Sequence, residues 1–368
     1  MMIKQTEHTL PLTVAGHIND ITSSHELDFW YPWLSQIKGS DCYLKLFSEW
    51  KIDSHGYVQL PDPPPNGHEY YIISGDSNMF GLAEHFAKSV DGKIIQLTLP
   101  LMTDEFNTSQ ITHLPYNHFH QRLSKLKTPT VSKNITHKAS ALVNRLSQSK
   151  IIIFAALMAN MSADDLLVSL CPTGLKKGRM QEQFDNKSLT NNPVCDSYIE
   201  LFYDQWINKS LELPYDDRDH LSYNNSAYQN SALNFTQETY NYSFVVKDGR
   251  SYIEPGPLLT EKTIKCLMSK TAFIPVGQMH SYHWLKTLGL KFDYGELNLD
   301  FDNDPGNLTR LEKIINLIRS LKQWSAQDLY AMTQDSTEHN YEHVKSQAFW
   351  HACEAVNEKF YTYLRTIK

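Results

Sequence analysis

Four consecutive residues, Thr260-Glu261-Lys262-Thr263, set an acid and a base between two hydroxyls where a segment of helical apolar spacing begins. Thr260 stands where an N-cap belongs, and Glu261 falls in the first turn, where the helix dipole favours negative charge. Cys266, Leu267 and Ser269 continue the helical pattern. Two readings are open. Either this is a well-capped helix and nothing more, or the backbone N–H groups of the helix start and Lys262 face an anion while Glu261 accepts hydrogen bonds from ribose hydroxyls. A nucleoside diphosphate satisfies both halves of the second reading.

Other residues have the right chemistry but less pattern. The apolar run "HEYYIISGD" at 68–76 ends in Gly75-Asp76 and reads as a buried strand. Open α/β sheets hold their ligands at the carboxyl ends of strands, so Asp76 is the leading candidate for a general base, against its plainer role as a turn residue capping the next helix. His118 is the alternative base. With His113 and His120 it forms the histidine cluster of "THLPYNHFHQRL", whose spacing could reach a metal. The cluster contains no carboxylate, so surface and packing roles are expected and no metal is assigned. The glycine-rich phosphate loops, the H-E-x-x-H zinc motif and the G-x-S-x-G nucleophile elbow are all absent.

The elements that must position these residues are partly visible. Strand 68–76, the helical spacing of "NMFGLAEHFAKSV" and the apolar "GKIIQLTL" at 92–99 make a βαβ unit, which requires a parallel sheet. "VQLPDPPPNG" at 58–67 holds four prolines and reads as a stiff connector outside regular structure. A second α/β region opens at 137–160, "HKASALVNRLSQSKIIIFAALMAN", with a strand at 139–143. Residues 172–233 are polar and Asn/Ser-rich and read as loops and short helices. "TAFIPVG" at 271–277 is a buried strand, 307–321 an amphipathic helix, and 336–366 one long helix.

With 368 residues, the length favours two domains or one large α/β unit. A net charge of −7 gives no broad basic field for a polyanion; the densest basic cluster is "GLKKGRM" at 174–180, read as a solvated loop. No apolar run reaches the roughly 18 to 20 residues of a membrane span. The N-terminal residues lack a secretory pattern, so the expected location is the cytoplasm, and five scattered cysteines argue against a disulfide framework.

"TEKT" with its apolar helix, then "AFIPVG" and "LKTLGLKFDYGELN", resembles the donor-binding segment of the fucosyltransferase- and exostosin-like glycosyltransferases, especially a bacteriophage branch. Upstream, "FTQETY" at 235–240 resembles the acidic strand end of that family, and "ALVNRLSQSKIIIFAAL" resembles its N-R-x-x-x-x-R segment, with Lys150 in place of the arginine. The likeness covers roughly residues 137 to 320. It implies two Rossmann-like domains of GT-B type: an acceptor domain over 1–136, a donor domain over 137–335 and a C-terminal helix over 336–368 that crosses back to the first. It also implies a nucleotide-sugar donor, with Asn144, Arg145 and Lys150 on the pyrophosphate, Glu238, Glu261 and Lys262 on the nucleotide sugar, and Thr260 and Thr263 in support. The implied reaction displaces a nucleoside diphosphate from a sugar by an acceptor hydroxyl, without a metal or other cofactor, since Arg145, Lys150, Lys262 and a helix start supply the positive charge. The phage likeness points to a hydroxymethylated DNA base as acceptor; a glycan or lipopolysaccharide is the alternative, and a non-catalytic binding or virion protein on the same fold is a third reading.

Overall fold

The computed structural model describes residues 13–21, 32–47, 51–52, 58–59, 62–75, 82–98, 107–116, 131–143, 147–170, 190–207, 209–211, 213, 225–238, 244–247, 250–253, 257 and 259–367. The chain divides into two compact units. The first comprises Met1–Gln121, Phe244–Gly256 and Cys353–Lys368; the second comprises Arg122–Ser243 and Pro257–Ala352. Each contains a sheet with four parallel strands, so the protein is a mixed α/β chain, compatible with a two-domain Rossmann-like layout.

In the first unit, β1 (Thr13–His17), β2 (Cys42–Phe47), β5 (Tyr70–Gly75), β6 (Lys93–Thr98) and β7 (Ile111–Pro115) form one sheet in the order β1-β2-β5-β6-β7. Only β1 runs antiparallel. A minimal ribbon of β3 (Lys51–Ile52) and β4 (Val58–Gln59) puts two residues of the proline-rich connector into regular structure, ahead of its prolines. Helix α1 (Leu82–Phe86) links β5 to β6 and buries Leu82, Ala83 and Phe86 beneath Tyr71 and Ile94. β5 and β6 are apolar on both faces, as expected where helices cover a parallel sheet.

The second unit is built on β8 (His137–Val143), β9 (Leu166–Leu170), β10 (Ser231–Gln237) and β13 (Ala272–Val276), ordered β13-β10-β8-β9 and all parallel. The hairpin β11 (Phe244–Lys247) and β12 (Arg250–Ile253) intervenes in sequence and groups with the first unit. Helix α2 (Gln148–Asn160) is apolar through Ile151–Leu157 and buried along that whole stretch, packed by α3 (Pro193–Gln205) and α7 (Asn307–Ser320). Helices α4 (Asn225–Gln229), α5 (Glu261–Met268) and α6 (Ser281–Thr287) are short. Helix α8 (Ala326–Val344), held at its start by a Ser325/Asp328 capping box, lies against α5 and three of the strands.

Two expectations are corrected here. The polar stretch 172–233 includes the thirteen-residue helix α3 and the first residues of β10. β10 is buried along its length although it carries Ser231, Asn234, Thr236 and Gln237. A hydroxyl and amide ladder explains this. The Ser140 and Ser231 hydroxyls lie 2.8 Å apart, Asn234 donates to Ser140 at 2.8 Å, and Thr236 donates to Asn234 Oδ1 at 2.9 Å, so most of the buried polar atoms are satisfied within the sheet. The second correction concerns the tail, which is three helices: α8, α9 (Gln347–Val356) and α10 (Glu358–Leu364). The break after α8 is a local competition. The Ser346 hydroxyl donates to His343 O and accepts from the Phe349 amide, which ends one helix and starts the next.

Helix α10 anchors the end of the chain in the first unit's core. The Phe360 ring meets Trp33 edge-on at 5.0 Å and Tyr116 at 5.3 Å, and Leu364 and Ile367 extend the same cluster. Phe360→Ala is expected to cost about 3–5 kcal/mol, read by hydrogen exchange as lost protection in β5 and β6 of the first unit. Unchanged protection there would detach α10 from the stability of that core.

Candidate functional site

The strand order of the second unit locates the site. From β8 the chain steps outward to β9, then returns to the other side of β8 for β10 and continues to β13. The direction reverses between β8 and β10, and in open α/β sheets the crevice beyond the carboxyl ends of the strands at such a reversal is where ligands sit. Beyond β8 lie Asn144 and Arg145, which fall outside the described residues, and then the start of α2 with Lys150. Beyond β10 lies Glu238.

Glu238 is 2% exposed, and a buried carboxylate without donors would be costly. Its donors come from α5. Thr260 Oγ1 donates to Oε2 at 2.6 Å, Thr263 Oγ1 to Oε1 at 2.6 Å, and the Thr260 amide to Oε1 at 3.3 Å. The Glu238 amide donates to Val276 O at 3.2 Å, which ties the end of β10 to the end of β13. Thr260 is the N-cap of α5, as its position suggested: Oγ1 accepts from the Lys262 amide at 3.4 Å. Lys262 Nζ donates to Thr260 Oγ1 and to Glu261 Oε1, both at 3.1 Å. The structure therefore brings Glu238, Thr260, Glu261, Lys262 and Thr263 together as one group.

The same geometry divides their roles. The positive end of α5 is already answered by the carboxylate of Glu238, and its two hydroxyls are committed to that carboxylate and to the cap. Glu261 and Lys262 remain 22% and 30% exposed at their side chains and are the members that solvent and a ligand can reach. The start of α2 differs. Its N-cap, Ser147, makes no side-chain bond to the helix amides, and its hydroxyl lies instead 3.2 Å from the hydroxyl of Ser149 in the first turn. A thirteen-residue helix that starts soon after a parallel strand directs the positive end of its dipole toward that strand end, and Lys150, 7% exposed, lies in its first turn.

Three residues of this edge escaped the sequence reading. Gln237, the last residue of β10, is 2% exposed, and neither its Oε1 nor its Nε2 has a hydrogen-bond partner. Beyond β13, His280 adopts a left-handed backbone at φ 67, an uncommon conformation for a residue with a side chain, and begins α6. Its amide donates to Asp302 O at 2.7 Å, while Asp302 Oδ2 accepts the amides of Tyr282 and His283 at 3.0 and 3.2 Å and so caps α6. Burial raises the Asp302 carboxyl above the usual range, and Oδ1 has no partner. A glutamine at the end of a strand of mixed polar and apolar residues and a histidine after "PVGQM" were the available signals, but neither belongs to a motif.

Asp76 follows β5 in sequence but, like His118 and His120, lies outside the described residues, as does the basic cluster at 174–180. His113 is buried in β7, with its amide donating to Asn107 Oδ1 at 2.7 Å, so it belongs to the packing of the first sheet. No family model matches the chain, and no curated protein or solved structure matches it either.

The bond from Thr263 to Glu238 is buried and charge-assisted. Thr263→Val keeps the shape and removes the donor, with an expected loss of about 1.5–3 kcal/mol, measured by chemical unfolding together with exchange of the α5 amides. A loss within about 0.5 kcal/mol of zero, the usual range for neutral surface changes, would show that the carboxylate does not depend on this hydroxyl.

Proposed function

We propose that the protein is a glycosyltransferase of GT-B type that moves a sugar from a nucleoside-diphosphate sugar to an acceptor hydroxyl. The observation that carries this reading is the reversal of strand order between β8 and β10, with the start of α2 on one side and the Glu238–Thr260–Lys262 group on the other. The diphosphate lies against α2, where Arg145 and Lys150 meet its charge; Glu261 takes ribose hydroxyls and Lys262 the remaining phosphate charge. Glu238 acts as a positioning residue that fixes the start of α5. These assignments follow the resemblance of the "NRLSQSK", "FTQETY" and "TEKT" segments and the placement of Lys150, Glu238 and Lys262 on one sheet edge. Two units, each with a four-strand parallel sheet, suit the GT-B layout.

In this reading the departing diphosphate is stabilised by side chains and helix amides, and a base, Asp76 or His118, takes the acceptor proton. The phage likeness favours a hydroxymethylated base in DNA as acceptor, which must be turned out of the duplex to expose its hydroxyl. A glycan acceptor agrees better with the net charge of −7.

The direct test is incubation with a panel of nucleotide sugars, alone and with hydroxymethylated DNA or glycan acceptors, followed by mass spectrometry. Release of one nucleoside diphosphate with sugar on one acceptor is the expected result. Tight nucleotide binding without turnover would leave the fold as a non-catalytic binder.

Lys262→Ala is expected to weaken nucleoside diphosphate binding by about 1.5–3 kcal/mol, the range for a hydrogen bond to a charged group, with Lys262→Arg recovering part of it. Unchanged affinity in the folded alanine variant would remove Lys262 from the site. Affinity for the diphosphate is expected to be equal with and without excess EDTA, because no metal is needed to meet its charge. Binding that disappears in chelator and returns only with a divalent ion would contradict the assigned roles of Arg145, Lys150 and Lys262.

A further inference from the structure

We propose that His17, Asp41 and His68 of the first unit form a binding site for a divalent transition-metal ion, with zinc the preferred occupant. The three residues belong to separate segments, and the sheet register brings them together. His17 ends β1, where it pairs with Tyr43 of β2; Asp41 immediately precedes β2; and His68 lies two residues before Tyr70 of β5, which pairs with Cys42. The Tyr70 amide donates to Asp41 O at 3.1 Å and fixes the offset of the two parallel strands. All three residues thus sit at the edge where β2 and β5 begin, the opposite end of the sheet from the carboxyl ends considered for catalysis.

The side chains converge. His68 Nδ1 is 2.7 Å and His17 Nε2 is 3.5 Å from Asp41 Oδ1, and one ligand atom from each residue lies within 4.8 Å of the other two. Bonds of roughly 2.0–2.1 Å in tetrahedral geometry set the ligand atoms about 3.3 Å apart, so small side-chain shifts bring these three onto one ion. Two imidazoles and one carboxylate suit zinc and its transition-metal neighbours, whereas magnesium and calcium take oxygen donors. Three protein ligands leave a fourth position for water.

The ligands are held in place from behind. Asp41 Oδ2 accepts the Glu69 amide at 3.0 Å, which leaves Oδ1 turned toward the two histidines. The His68 ring packs 5.4 Å from Tyr43 and edge-on to Tyr71 at 5.9 Å. Asn19 closes the turn after β1, its Oδ1 accepting the Gly39 amide at 2.9 Å. Its own amide donates to His17 Nδ1 at a long 3.3 Å; in a ring bound to metal through Nε2 the single proton sits on Nδ1, so this weak bond gives way to a new partner for that N–H. Side-chain exposures of 24%, 48% and 23% leave the group open to an entering ion.

The test uses the full-length, tag-free chain, stripped with chelator, dialysed and titrated calorimetrically with zinc chloride, with cobalt(II) absorption as a second readout. One zinc per chain is expected, along with visible cobalt bands of a four- or five-coordinate nitrogen and oxygen site. His17→Ala, Asp41→Asn and His68→Ala should each weaken zinc by well over the roughly 10- to 100-fold that outer-shell changes cost. His351→Ala, at an exposed position of α9, should bind as the parent does. Asp41→Asn keeps an acceptor for the Glu69 amide, so it decides the matter even where a histidine variant does not fold by circular dichroism. A parent chain that takes up no zinc, or an Asp41→Asn variant that binds as the parent does, overturns the proposal and leaves the three residues a hydrogen-bonded His–Asp–His group.

Discussion

A carboxylate removed from water must be supplied with donors or it destabilises the fold that buries it, and Glu238 is such a carboxylate. Two threonine hydroxyls and one amide from the start of α5 supply them. This demand organises the edge of the second sheet. It draws the N-terminus of α5 to the end of β10, while the Glu238 amide draws in the end of β13. Thr260 serves three masters, capping its own helix, donating to Glu238 and accepting from Lys262. The position of the Lys262 ammonium is therefore a consequence of where Glu238 is buried.

The arrangement also decides where a ligand's negative charge can go. A helix start already facing a buried carboxylate attracts a second anion weakly, because the two charges oppose each other across the same N–H groups. Among the described residues, Ser147 at the start of α2 makes no side-chain bond to the helix amides. The proposed function divides the edge accordingly, assigning phosphate to α2 and the rest of a nucleotide to the carboxylate and ammonium of α5. The unpartnered amide of Gln237 lies between the two in sequence order along the edge, and a buried amide with four unmet hydrogen-bonding positions is a natural contact for a polar ligand.

What was legible in the sequence had a local cause. β5, β6 and β13 are short apolar runs closed by glycine or polar residues, and α7 carries its apolar stripe at helical spacing, so each could be read from its own residues. The cap at Thr260 was legible for the same reason. β10 was legible only in its last residues, because its burial rests on hydrogen bonds to Ser140 and Cys266 that lie far away in the chain. The breaks in the C-terminal helices depend on single side-chain bonds such as those of Ser346, which compete with a periodicity that runs through them. The partnership of Glu238 with Thr263 was out of reach for the same reason as β10: the motif named both residues, but only the sheet order makes them neighbours. The His17–Asp41–His68 group is still more remote, since nothing in the spacing of the three residues marks it before the strands are in register.

The central claim is that the crevice between β8 and β10 binds a nucleoside diphosphate. Hydrogen exchange read by mass spectrometry, with and without a panel of nucleoside diphosphates, tests this most directly because it reports where binding occurs as well as whether it does. The expected result is one nucleotide that slows exchange at 147–151, 237–238 and 259–263 together and leaves the first unit's β1 to β2 edge unchanged. Protection confined to other segments, or no protection with any nucleotide at saturating concentration, would contradict the account.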